Sequence, residues 1–313
     1  MKTEELSYLS SNGVDTIKAS LWTEDANSPQ AVLQIVHGMS EYIGRYERFA
    51  SFMAENGFAV CGNDHLGHGR SAATPDRLGF FAPQNGADYL VEDVHLLFLR
   101  LKERFPGRPV FLLGHSMGSF ITRSYITRYA SGLSGYLCSG TAGPNPLGGV
   151  AARLAELEVR RLGPLGRSKF LHKLTFGGYN NRYCVKRTQY DWLTRDTEVV
   201  DRYEKDEWCN YVFTSSGFRD LFTLLNSVSQ KSWAAKVPKE LPIILIAGQQ
   251  DPVGDFGNGP RYVYSRLLSQ GVKDVTLRLF EDCRHEVLNE LNRLQVYEEI
   301  LEWIRLHLPT STD

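Results

Sequence analysis

The sequence predicts an α/β fold built on a mostly parallel central sheet with helices on both faces and an inserted helical cap. Strand-length apolar runs alternate with segments whose apolar residues recur at three- and four-residue steps, the pattern of a parallel sheet covered on both sides. The chain opens differently, with two strand-like runs around Asn12-Gly13, a pair that favours a tight antiparallel turn. Between the strand expected over 135–139 and the next one, over 241–247, lie roughly a hundred residues where connections usually need only a few. That gap requires an insertion.

Taken in order, residues 6–10 and 14–22 read as the opening hairpin and 31–36 as the first parallel strand. A helix follows with Tyr46, Phe49, Ala50 and Met53 on one face, ending near Gly57. After a strand over 58–62, a longer helix carries Leu90, Val94, Leu97, Phe98, Leu101 and Phe105, and Pro106-Gly107 stops it before a strand over 109–113. A helical stretch over 120–129 leads to the strand over 135–139. The insertion holds helical patches, Gly/Pro breaks and many aromatic and charged residues, which reads as a helical cap. The sheet resumes over 241–247 and 275–280, and the chain closes on a helix with Leu291, Leu294, Tyr297, Leu301, Ile304 and Leu308 expected on its core face. The organisation is therefore a core in two parts, 1–143 and 237–313, interrupted by a cap over 144–236.

Hydrophobic residues form 42% of the 313-residue chain and charged residues 23%, which excludes disordered and collagen-like classes. With a net charge of -1, there is no global field to draw nucleic acid, and no nucleic-acid partner is expected. Five cysteines without a C-x-x-C pair suit reduced thiols. The polar start is followed by no apolar signal core, and the longest apolar runs are strand-sized, so the expected location is cytoplasmic.

Gly114-His115-Ser116-Met117-Gly118 lies between an expected strand and an expected helix. In that context G-x-S-x-G forms a nucleophile elbow, where flanking glycines permit a strained turn that lifts the serine oxygen clear of the sheet. A serine hydroxyl needs a base, and the base an acid to fix its tautomer. Asp251 and His285 each follow an expected late strand, so Ser116, Asp251 and His285 fall in the chain order of this arrangement. Asp255 and Asp282 stand near the same strand ends as rivals for the acid, and His115 occupies the variable position of the elbow. The oxyanion of acyl transfer needs two preorganised N–H donors. The backbone amides of Met117, next to the nucleophile, and Met39, in His37-Gly38-Met39-Ser40, are the candidates. Two histidines and an aspartate within Asp64-His65-Leu66-Gly67-His68 invite a metal reading, but no third ligand stands at helical spacing. No phosphate loop or dinucleotide fingerprint is present, so no metal and no cofactor are expected.

With these motifs the chain resembles the monoacylglycerol lipase and lysophospholipase branch of the α/β-hydrolases, which includes serine aminopeptidases. The resemblance runs through His37 to Tyr42 with Arg45-Tyr46, the stretch from Asp64 to Ser71, the elbow, Asp251 to Gly254 and Arg284-His285-Glu286. Asp191-Trp192-Leu193-Thr194-Arg195-Asp196 in the cap looks like bacterial lysophospholipase-like members. It implies an α/β-hydrolase fold, a triad of Ser116, Asp251 and His285, and oxyanion donors at Met39 and Met117. It also implies hydrolysis of a lipid ester, monoacylglycerol or lysophospholipid. An aminopeptidase, with Glu204, Asp206 or Glu207 holding a substrate ammonium, a small-ester carboxylesterase and a non-catalytic binding protein remain alternatives. Glu41 and Arg45 match a polar pair near the family's pocket, either contacting substrate or bracing the oxyanion loop. In the cap, Arg153, Arg160, Arg161, Arg167, Lys169 and Lys173 interleave with Leu154, Leu157, Leu162, Leu165, Phe170 and Leu171. That pattern fits either a lid in transient contact with lipid aggregates, a peripheral membrane association, or a core-packed helix with a solvated basic face.

Overall fold

The computed structural model describes residues 1–24, 28–145 and 147–309. Eight strands form one sheet in the order β1-β2-β4-β3-β5-β6-β7-β8. β1 (Lys2–Leu9) and β2 (Thr16–Thr23) pair antiparallel, and β2 runs antiparallel to β4 (Phe58–Asn63). The rest is parallel: β3 (Ala31–Val36), β5 (Val110–His115), β6 (Gly135–Ser139), β7 (Ile243–Gly248) and β8 (Val275–Phe280).

Strand residues divide between two cores by the two-residue alternation of the pleat. On β5, Val110 and Leu112 enter the core shared with α2 (Gly86–Arg104) and α3 (Met117–Tyr125). Phe111 and Leu113 enter the opposite core, shared with α1 (Glu47–Glu55) and α9 (Arg293–Leu306). Both faces are buried along β3 to β7, which is why those strands are apolar at nearly every position, whereas the edge strands β1 and β8 are partly exposed.

Between β6 and β7 stand α4 (Gly148–Leu162), α5 (Lys169–Phe176), α6 (Thr197–Lys205) and α7 (Ser215–Ser229). Three of these begin on side-chain caps: Ser168 accepts from Leu171 N, Asp196 from Glu198 N and Val199 N, and Thr214 from Gly217 N, each worth about 1 kcal/mol. α7 belongs to the main core, with Phe218, Leu221 and Phe222 packed in the same cluster as Phe120 and Leu97. A separate aromatic cluster of Tyr183, Tyr190, Trp192 and Tyr203 holds the middle of the insertion.

Four local expectations change. The opening turn is not a two-residue one: Ser10 N bonds to Asp15 O, and Asn12 Oδ1 accepts from Val14 N and Asp15 N, so the asparagine organises a wider loop. α3 starts immediately after Ser116 and ends at Tyr125, and all of its residues are buried. A helix without a solvated face has no amphipathic period to mark its ends. α8 (Asn258–Ser269) escaped the sequence reading because few of its positions, Val263 and Leu267 foremost, are apolar and buried. α9 begins only at Arg293, so Leu291 precedes it; Leu291 and Leu294 face solvent at 62% and 61% exposure, while Val296, Ile300 and Trp303 take the core positions beside Tyr297, Leu301 and Ile304.

Candidate active site

The parallel strands deliver their carboxyl ends to one rim, the usual location of sites in such sheets. Ser116 follows β5, Met39 follows β3, Asp251 follows β7 and His285 follows β8. Ser116 sits at φ 55°, ψ −121°, a region that costs a non-glycine residue about 1–3 kcal/mol. Its amide donates to Ser139 O at 3.0 Å, and its carbonyl accepts from Ser119 Oγ at 2.6 Å, so strand and helix hold the strain from both sides. Gly118 allows this packing, because a Cβ there would overlap the carbonyl oxygens of Val36 and His37.

His285 Nδ1 and Asp251 Oδ2 lie 3.0 Å apart, and both side chains are almost wholly buried. Asp251 Oδ1 accepts from Val253 N at 2.8 Å, which fixes the carboxylate. Burial disfavours the charged imidazole, yet the charge and hydrogen bond of Asp251 outweigh it and leave the His285 pKa above its ordinary value of 6.5. Nε2 of His285 is buried and has no hydrogen-bond partner among the described residues; bonds from a base to its proton donor often tighten only with substrate present. Asp255 instead bonds Asn258 on the exposed rim, and Asp282 is also exposed. His115 reaches Ser139 Oγ at 3.2 Å with its ring 4.7 Å from that of His285. Burial, then the neighbouring His285, push its pKa down to about 3.

The loop after β3, which carries Met39, is braced from within. Glu41 Oε1 accepts from Gly38 N at 2.5 Å and from Tyr46 OH at 3.0 Å, while its Oε2 meets Arg45 at 2.8 Å. Arg45 also grips both oxygens of Glu286, at 2.7 Å each. Burial raises the Glu41 pKa, whereas for Glu286 the Arg45 guanidinium overcomes burial and holds the carboxyl below its ordinary value. Glu286 is the site residue that spacing alone did not assign. Its only signal in the sequence is adjacency to His285.

The Asp64–Ser71 stretch is packed rather than open. Asp64 accepts from Ile43 N, Arg70 N and Arg70 Nε, and the rings of His37 and His65 lie 4.0 Å apart. Burial lowers the pKa of His37, His65 and His68. No group of three or more His, Cys, Asp or Glu side chains is arranged to hold a metal ion among the described residues.

Ser116, His285, Met39, Met117 and Glu41 line one cavity of about 820 Å3, within the range that small-molecule sites occupy. Its apolar wall includes Phe120, Leu221, Phe222 and Leu225, and the cap adds Phe176 and Trp192. Arg45, Glu204, Asp206 and Glu207 are not among its lining residues. Asp206 is engaged by Tyr42 OH at 3.0 Å and by Trp208 N at 2.9 Å. No helix among the described residues is long and apolar enough to cross a membrane.

Residues 27–292 match the family model described as serine aminopeptidase, S33. The chain is 30% identical to the monoacylglycerol lipase of Mycolicibacterium smegmatis over 305 residues, covering 97% of this chain and 98% of that protein. It is 28% identical to the human monoglyceride lipase, across 91% of this chain and 85% of the relative. Among solved structures, a thermostable carboxyl esterase from Bacillus coagulans in complex with glycerol superposes with a TM-score of 0.89 at 31% identity, covering 98% of this chain and 99% of the esterase.

Proposed function

The chain belongs to the serine aminopeptidase S33 family of α/β-hydrolases, and on that premise we propose that it hydrolyses carboxylic esters of lipids, monoacylglycerols or lysophospholipids, through an acyl-enzyme on Ser116. The observation that carries the reading is the strained Ser116 beside the buried His285–Asp251 pair, at an apolar-walled cavity. His285 takes the Ser116 proton as the oxygen attacks the ester carbonyl, and the amides of Met39 and Met117 hold the oxyanion. His285 then gives that proton to the leaving alcohol, takes a proton from the water that attacks the acyl-enzyme, and passes this second proton to Ser116 Oγ as the fatty acid leaves. Asp251 fixes the imidazole and stabilises its charged form throughout.

Glu41 and Arg45 act as a brace, since their polar atoms are spent on Gly38, Tyr46 and Glu286. An aminopeptidase would need a free carboxylate for the substrate ammonium. Glu204, Asp206 and Glu207, the carboxylates expected in that role, are absent from the cavity wall, where Asp255 at the rim is the carboxylate outside the Glu41–Arg45–Glu286 brace. Lipid substrates are favoured by the names of the two relatives, monoacylglycerol lipase and monoglyceride lipase.

The cap gives the site its route to lipid aggregates. Leu171 is buried, but Phe170 and Leu174 are 54% and 53% exposed, and Leu157, Leu162 and Leu165 are also exposed, beside the exposed Arg160, Arg161, Lys169 and Lys173. Such a surface suits the interface of a lipid aggregate. Phe170→Asp with Leu174→Asp lowers turnover of aggregated lipid while sparing a soluble p-nitrophenyl ester. Equal loss on both substrates speaks against it.

Ser116→Ala tests the main reading. It abolishes hydrolysis of monoacylglycerol and p-nitrophenyl esters and removes fluorophosphonate labelling, with the thermal midpoint retained. Undiminished turnover in that variant overturns the assignment.

A further inference from the structure

We propose that the cap segment around Trp192–Arg195 is the strap that positions the general base, with Arg195 and Glu290 as positioning residues. The inference rests on the hydrolase reading of the same site.

The histidine loop, residues 283–291, is not held by the core alone. His285 N donates to Trp192 O at 3.4 Å and Glu286 N to Leu193 O at 2.7 Å, so the backbone of the base pairs directly with the cap. Thr194 Oγ1 donates to Asn289 O at 3.0 Å. Arg284, the residue before the base, donates to the carbonyls of Asp191 and Thr194. Trp192 also lays its ring 5.1 Å from that of His285.

Glu290 joins the two segments at one carboxylate that is wholly shielded from solvent. From the strap it accepts Arg195 N at 3.1 Å and Arg195 Nε at 2.9 Å. From the histidine loop it accepts Arg284 N at 2.8 Å and Leu291 N at 3.1 Å. A buried carboxylate with every lone-pair direction satisfied has one low-energy arrangement, which makes it a rigid joint. The joint extends to the oxyanion side, because Glu286 bonds Arg45, Arg45 bonds Glu41, and Glu41 bonds Gly38 N. A cap element thereby sets the position of the base relative to both Asp251 and the oxyanion loop, and displacement of the cap loosens the chemistry as well as the entrance.

Arg195→Ala and Arg195→Lys are compared with the unaltered chain on a soluble p-nitrophenyl ester. Losing the joint lets His285 shift by a fraction of an ångström, and misplacement of about 1 Å costs up to about a hundredfold. The expected result is a fall in kcat of about ten- to a hundredfold for Arg195→Ala with KM changed by less than about threefold. The acid limb of kcat/KM moves to lower pH as the imidazole loosens from Asp251, and Arg195→Lys recovers part of both. Glu290→Gln, which keeps the shape but weakens the pairing, lies between. Native kcat and an unmoved acid limb in Arg195→Ala overturn the proposal, as does a variant that only melts earlier while each phosphonate-titrated site turns over normally. If the unaltered chain shows no Ser116-dependent turnover at all, the hydrolase reading falls and this proposal with it.

Discussion

Glu286 and Arg45 are joined by two parallel hydrogen bonds of 2.7 Å each across 241 residues of sequence. Arg45 thereby satisfies two buried carboxylates at once, since Glu41 takes a third bond at 2.8 Å. Removing one member of a buried charge cluster leaves the rest uncompensated, typically at about 3–5 kcal/mol. Arg45→Ala is expected to lose stability of that order in urea denaturation and to lose activity with it. Unchanged stability would mean that water replaces the guanidinium without cost.

In the proposed mechanism Asp251 acts on the reaction only through the imidazole. Asp251→Asn keeps the shape of the side chain and the bond from Val253 N, but it favours the wrong His285 tautomer. Turnover is expected to fall by about four orders of magnitude with little change in the thermal midpoint. A loss below tenfold would assign the acid elsewhere, with Asp255 or Asp282 next to be replaced.

In the proposed mechanism His285 must be neutral to accept the Ser116 proton, and its pKa in the folded protein is raised above the ordinary value of 6.5. Activity is therefore present above that raised value and is lost as pH falls through it. A pH profile of kcat/KM on a substrate that does not itself titrate is expected to show an acid limb with its midpoint above pH 6.5. A midpoint well below 6 would contradict the Asp251 contribution.

Acid should also unfold the protein, through different histidines. Burial and the adjacent His65 push His68 down to about 3, and His37 and His65 are likewise lowered by burial. The unfolded chain binds a proton at each near pH 6.5 while the native state does not. Stability is complete above that pH and falls on acidification, by about 1.4 kcal/mol per pH unit per histidine. His68→Asn can retain a donor toward Leu66 O, which His68 Nδ1 meets at 3.0 Å. It should lose about 1 kcal/mol less than the unaltered chain between pH 6.5 and 5.5, measured by denaturant titration; an identical loss would remove His68 from the account.

At the elbow, Gly118→Ala places a methyl group against the carbonyls of Val36 and His37, which belong to backbone that cannot swing aside. A destabilisation on the order of 3 kcal/mol is expected. Gly38→Ala is milder for the fold, because the added methyl would stand 2.7 Å from the Glu41 side chain and 3.0 Å from Ser116 Cβ. Its effect should appear in kcat.

Signals that repeat along the chain were legible. The ends of β3, β6 and β8 agree with the expected strands because apolar runs bounded by Gly, Pro or polar residues are local features. α3 and α8 were harder for opposite reasons: one is buried all round and the other is buried at few apolar positions. The outward turn of Leu291 and Leu294 shows the same limit, since an apolar residue at helical spacing does not say which neighbour covers it.

The sequence by itself determined the strand and helix alternation and the order in which Ser116, Asp251 and His285 arrive at strand ends. Those features are written in periodicity and short motifs. Only the tertiary structure decided that Arg45 is spent on Glu286, that Arg195 closes on Glu290 across 95 residues, and that the carboxylates of α6 and its C-terminal turn stay off the cavity wall. These pairings join distant segments, and a buried charge has no local signature that names its partner. It finds that partner only when packing has removed the water that would otherwise satisfy it.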